Sequence, residues 1–92
     1  MQKDKKASDL FLSCLGDSLR ERRIDLLLSQ EQLGILAKLH RSYITEVENG
    51  SRNISMTTLL RITRALKSNP SIHMSAAERA VKRSNGNVNG TE

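Results

Sequence analysis

The sequence predicts an all-α domain of five helices. Three observations carry that expectation. Apolar residues recur at three- and four-residue spacing, several helix starts carry strong capping signals, and alternating apolar–polar runs of the strand type are absent. Leu15, Leu19 and Leu26 form the stripe of the first helix, which Phe11 and Leu12 extend backward. Arg20, Glu21, Arg22 and Asp25 interleave as its wet face. The second helix opens on Ser29-Gln30-Glu31-Gln32, a capping box with Ser29 as N-cap and Gln32 reaching back, and turns Leu33, Leu36 and Ala37 inward. The third begins near His40 or Arg41, buries Ile44 and Val47, and stops at Asn49-Gly50. Ser51 to Ile54 is a connector, after which Ser55 caps a fourth helix carrying Leu59, Ile62 and Leu66. Ser68-Asn69-Pro70 ends it, and Ser75 with Glu78 makes a second capping box that opens a short fifth helix reaching about Arg83.

Composition narrows the function. At 92 residues the chain holds one domain, expected over residues 9–83, with a flexible basic arm at 1–8 and a disordered tail at 84–92. A net charge of +5 favours an anionic partner, and an aromatic content of 2% argues against reading bases by stacking. The lone Cys14 forms no internal disulfide and reads as a packed small hydrophobe. No Cys/His cluster implies a metal, and no cofactor is expected. No apolar run approaches a membrane span and no secretory leader is visible, so a cytoplasmic location is expected. The positive charge is unevenly placed: residues 9–60 carry six basic and seven acidic groups, so the middle of the chain is near neutral. A core this small, without staple or metal, leans on oligomerisation.

The second and third helices are short and joined by about three residues, Lys38 to His40, which is the spacing of a helix-turn-helix unit. The run Leu28-Ser29-Gln30-Glu31-Gln32-Leu33, followed by Arg41-Ser42-Tyr43-Ile44 and Val47-Glu48-Asn49-Gly50, resembles the Cro/C1-type helix-turn-helix family of phage and bacterial regulators, over roughly residues 15–67. Within that family, His40-Arg41-Ser42-Tyr43-Ile44 and Ser51-Arg52-Asn53-Ile54-Ser55 look most like the controller proteins of restriction–modification systems. The sequence departs from the family pattern at Leu27, where a helix-ending Gly is usual, at Lys38, where Gly or Asn is common, and at Gly34, where Ala is usual. The resemblance implies a lambda-repressor-like fold and a homodimer that regulates its own promoter and an endonuclease gene.

The third helix is then the reader of the major groove, since that groove admits one helix and shows each base pair as a distinct donor–acceptor pattern. Arg41 is the first choice for base contact, because its planar fork can bond guanine O6 and N7 together. Ser42 can serve an adjacent base or phosphate, and Thr45 offers a methyl to thymine. Glu46 either accepts from a cytosine amino group or repels phosphate in wrong registers. Gln30, Tyr43, Asn49, Ser51, Arg52 and Asn53 are assigned to phosphate. Tyr43 and Asn49 have an equally good structural reading, as a packed ring and as a helix stop.

Arg23 and Glu48 resemble the family's internal ion pair and read as structural. His40 reads as a helix cap or a phosphate neighbour, and His73 has no metal partner at useful spacing. Leu60, Ile72, Met74, Ala76, Ala77, Ala80 and Val81 are the surplus apolar residues and the expected dimer interface, the alternative being that they complete the monomer core.

The expected partners are therefore double-stranded DNA and a second copy of the chain, with RNA polymerase a further candidate. A phage-type repressor or an antitoxin regulator would read DNA in the same way. A protein-interaction module without specific DNA binding is the reading from a different class, and it leaves Gln30, Arg41 and Arg52 unexplained. No catalytic constellation is present, so no enzyme is expected.

Overall fold

The computed structural model describes the backbone of residues 2–89 and the side chains of residues 6–84. Five helices follow in order: α1 Gln2–Asp25, α2 Gln30–Ala37, α3 Arg41–Asn49, α4 Met56–Ala65 and α5 Pro70–Asn89. The short helices α2, α3 and α4 pack around one core whose buried side chains include Leu15, Leu19, Leu33, Ile44, Val47, Leu59, Ile62 and Leu66. These are nearly all positions that the helical period marked as inward. Leu36 is the exception and lies exposed on α2, because Leu33 and Ala37 already fill the inward stripe of so short a helix.

The ends of the elements obey local chemistry. Ser29 Oγ accepts from Gln32 N at 3.0 Å and Gln32 Oε1 accepts from Ser29 N at 2.8 Å, completing the capping box. Ser55 Oγ accepts from Thr58 N at 3.2 Å and starts α4. The fifth helix corrects the expectation, because it opens at Pro70 and not at Ser75. Asn69 Oδ1 accepts from Ile72 N at 3.1 Å, and Pro70 stands at the first helical position, where its missing N–H costs nothing. The outer helices are also longer than expected. Most of the proposed arm joins α1 from Gln2, since residues 2–8 contain neither Gly nor Pro. Part of the proposed tail continues α5 to Asn89; residues 1 and 90–92 lie outside the described residues.

The interface expectation is corrected at Ala77, which is 0% exposed and belongs to the monomer core. Starting α5 five residues early sets its inward stripe on His73 and Ala77, one helical turn apart, facing α1. Met74 packs partly on the same core, and Ala76, Ala80 and Val81 are half-buried. Ile72 at 54% and Leu60 at 38% remain exposed, joined by Met56 at 61% on the face of α4 that Leu60 shares.

Three arginines hold the helix ends to their neighbours. Arg22, expected on the wet face of α1, instead donates from Nε to Leu66 O at 2.9 Å and from Nη2 to Lys67 O at 3.1 Å, closing the end of α4. Arg61 Nη2 reaches Ala37 O at 3.0 Å and Lys38 O at 2.7 Å at the end of α2. Arg23 Nη1 reaches Leu28 O at 2.7 Å after α1. Arg22 and Arg61 thereby satisfy carbonyls at or just past helix ends, and Arg23 satisfies one in the loop between α1 and α2.

At its turns the chain keeps the backbone that glycine usually supplies without supplying the glycine. Leu27 and Lys38 both sit at φ 60°, and Lys67 at φ 54°. Left-handed geometry costs a side-chain-bearing residue about 1–2 kcal/mol, partly offset because glycine also loosens the unfolded chain by about 0.4–1 kcal/mol. Lys38→Gly should therefore gain about 0.5–1 kcal/mol, raising the thermal midpoint by a few degrees. An unchanged or lower midpoint in a melting experiment would show that the Lys38 side chain contributes contacts worth more than the strain. Gly34 is a different matter. A Cβ there would lie 2.6 Å from Leu39 O, so the bare Cα lets the turn fold back over α2.

His73 is buried at 3% exposure, with Nδ1 2.8 Å from Ser18 Oγ and Nε2 2.9 Å from Ser68 Oγ. Burial, and then the nearby Arg22 guanidinium, lower its pKa below the usual histidine value of 6.5. Below pH 6.5 the unfolded chain thus binds a proton that the folded chain resists. The stabilisation is complete above that range and is lost as pH falls through it. Urea midpoints measured between neutral and mildly acidic pH should fall more for the wild-type protein than for His73→Gln. Parallel curves would remove His73 as the cause.

Candidate nucleic-acid interface

The sequence of α3 splits it into two faces. Ile44, Val47 and Glu48 point into the protein, and Arg41, Ser42 and Asn49 are exposed, with Thr45 and Glu46 half-exposed beside them. Helical spacing places Arg41 above Thr45, and Ser42 above Glu46, along one outward surface. Glycines let this helix seat closely. A Cβ on Gly16 of α1 would come within 2.5 Å of the carbonyls of Val47 and Glu48, and one on Gly50 within 2.6 Å of Ser13 Cα. At φ 76° Gly50 also makes the left-handed stop of α3.

A buried polar chain fixes α3 from below. Arg23 donates from Nε to Glu48 Oε2 at 2.6 Å and from Nη2 to Glu48 Oε1 at 3.0 Å, as the expected ion pair. Glu48 Oε1 also accepts from Gln30 Nε2 at 3.0 Å. The Thr45 hydroxyl is shared between Gln30 Oε1 at 2.9 Å and Arg41 O at 3.1 Å. Gln30 thereby ties the first turn of α2 to the outward face of α3. No buried side-chain nitrogen or oxygen among the described residues lacks a partner.

The segment after α3 folds back on it. Ser51 donates to Glu46 O through both N, at 3.0 Å, and Oγ, at 3.2 Å. Arg52 donates from Nε to Glu46 Oε1 at 2.9 Å, its Nη2 lies 2.6 Å from the same oxygen in an ion pair, and its guanidinium carbon lies 4.7 Å from the centre of the Tyr43 ring. Tyr43 itself packs partly against the core. Asn53 is exposed in the loop, and His40 occupies the N-cap position of α3 without a side-chain cap bond.

The helix-turn-helix family model matches residues 19–72, which spans α2, α3 and α4. The chain is 38% identical over 56 residues to the control protein C.BamHI of Bacillus amyloliquefaciens, covering 60% of this chain and 69% of that protein. It is 42% identical over 52 residues to the control protein C.SmaI of Serratia marcescens, covering 56% of this chain but only 62% of that relative. The crystal structure of the restriction–modification controller protein C.AhdI from Aeromonas hydrophila is similar at TM-score 0.65 and 41% identity, over 68% of this chain and 94% of that one. The chain belongs to the controller branch of the helix-turn-helix family of DNA-binding regulators.

In this controller-type chain the structure brings together the groups singled out by sequence, but it also binds several of them to one another. Gln30, Thr45, Glu46, Ser51 and Arg52 all carry internal hydrogen bonds. Sequence reasoning missed His73, whose only signal was a histidine on the inward stripe of α5. It missed the carbonyl-capping roles of Arg22 and Arg61 as well, because nothing local distinguishes them from other surface arginines.

Proposed function

We propose that the chain is a sequence-specific transcriptional regulator that binds a palindromic operator as a homodimer and controls its own gene and that of a restriction endonuclease. The observation that carries this reading is the outward face of α3, locked onto α2 by the Arg23–Glu48–Gln30–Thr45 chain. Rigid presentation matters because groove recognition depends on donors already in place. Arg41, Ser42, Thr45 and Glu46 read base edges. The first turn of α2 at Gln30 and the segment Asn49, Ser51, Arg52 and Asn53 sit against the phosphates on either side, with Tyr43 beneath them.

One such helix reads too few base pairs to select a site in a genome, and a two-fold dimer doubles the reading. Leu60 and Ile72, with Met56, supply exposed apolar surface for that contact, and the half-buried Met74, Ala76, Ala80 and Val81 border it. The controller role follows from the likeness to the control proteins, and with it a cytoplasmic location and contact with RNA polymerase at the promoter. No helix among the described residues is long and apolar enough to cross a membrane.

Titration against DNA from immediately upstream of its own gene, at several salt concentrations, tests the reading. Binding should be selective and weaken as salt rises. Equal affinity for a scrambled duplex of the same length would overturn it.

A further inference from the structure

Arg52 looks from sequence like a sequence-neutral phosphate contact, but its geometry couples it to Glu46. Its hydrogen bond and its closest ion-pair contact to Glu46 both fall on Oε1, and no hydrogen bond among the described residues uses Oε2, which can accept elsewhere. The pair is half-exposed on the outward side of α3, at 47% for Arg52 and 45% for Glu46. An unpaired carboxylate on that side would repel every phosphate it approached. With Arg52 across one oxygen the charge is largely neutralised, and the other oxygen becomes a directed acceptor. In the major groove the matching donors are exocyclic amino groups, cytosine N4 above all. Three features hold Arg52 in place for this: the Gly50 stop, the Ser51 bonds to Glu46 O and the Tyr43 ring beneath the guanidinium. A guanidinium carries five N–H groups, so those not given to Glu46 remain for a phosphate.

Resting on the reading of α3 as the groove helix, we propose that Arg52 is a positioning residue for base selection, aiming Glu46 at an amino-bearing base at one position of each half-site. Its phosphate contact and its effect on specificity are then two uses of one side chain.

The test is a set of binding isotherms for the wild-type protein, Glu46→Gln, Arg52→Ala, Arg52→Lys, Tyr43→Leu and the Glu46→Gln/Arg52→Ala double variant. The probe is the upstream duplex and its single base-pair substitutions, with melting curves to verify folding. Glu46→Gln should lose about tenfold of preference at one position per half-site. Arg52→Ala should lose the preference at that same position and also weaken binding to every duplex. Arg52→Lys should recover much of the affinity but not the preference, since an ammonium lacks the planar fork. Tyr43→Leu should lose part of the preference. The double variant should bind better than Arg52→Ala, because its carboxylate no longer stands unneutralised before the phosphates. If Arg52→Ala weakens all duplexes by one factor and keeps the preference, or if the double variant shows the product of the two single effects, the proposal is wrong. Failure of the wild-type protein to select the upstream duplex would overturn the reading of α3 itself, and that result appears before any substitution is made.

Discussion

Glu48→Ala is expected to cost about 3–5 kcal/mol of folding stability, the range seen when one partner of a buried ion pair is removed. The Glu48 side chain is 2% exposed and that of Arg23 is 12% exposed, so neither can turn to water in place of the other. Three donors converge on the carboxylate, two from Arg23 and one from Gln30. Its loss leaves a guanidinium held only by Leu28 O and frees Gln30 from the pair that sets Thr45. Small domains are stable by about 5–15 kcal/mol in total, so much of the margin would vanish. Glu48→Gln keeps one acceptor oxygen and should lose less. Urea unfolding followed by circular dichroism measures both. A loss below about 1 kcal/mol would mean that the pair behaves as a solvated surface bridge.

Arg41→Ala should leave stability almost unchanged and remove about 1–3 kcal/mol of base discrimination, roughly 5- to 150-fold, at one position in each half-site. The residue is exposed at the first position of α3, where a groove helix brings its side chains nearest the base edges. A phosphate contact would instead weaken all sequences alike. Competition between the operator and duplexes altered at single positions separates the two outcomes. Full discrimination by the variant would move the principal reader elsewhere on the α3 face.

The interior was legible in the sequence because helical spacing and side-chain capping are local properties. Leu19, Leu33, Ile44 and Ile62 could be placed inward from neighbours three and four residues away, and Ser29 and Ser55 announced their helices. What misled was competition between equally good local signals. Ser75 with Glu78 fits a capping box, but Asn69-Pro70 starts the helix earlier, and once that register is set Ala77 belongs to the core. Long-range polar partners were illegible for a different reason. Arg22 to Leu66 O and His73 to Ser18 join residues over 40 positions apart, and periodicity carries no information at that range. The members of the candidate site could be named from the sequence, but the Glu46–Arg52–Tyr43 arrangement emerges only when the Gly50 reversal brings them together.

The division of α3 into a locked side and an outward side has a consequence for how such regulators diversify. On the proposed reading of α3, positions 41 and 42 face the bases and lie outside the core, so substitutions there should rewrite the preferred operator with little penalty in folding. Orthogonal variants for synthetic circuits should be sought at those positions first. Thr45 and Glu46 are poorer places to begin, since each is bonded to a second residue proposed to contact DNA, Gln30 and Arg52 respectively. A change at 45 also disturbs Gln30, and a change at 46 disturbs Arg52, so new specificities through these sites must evolve in pairs.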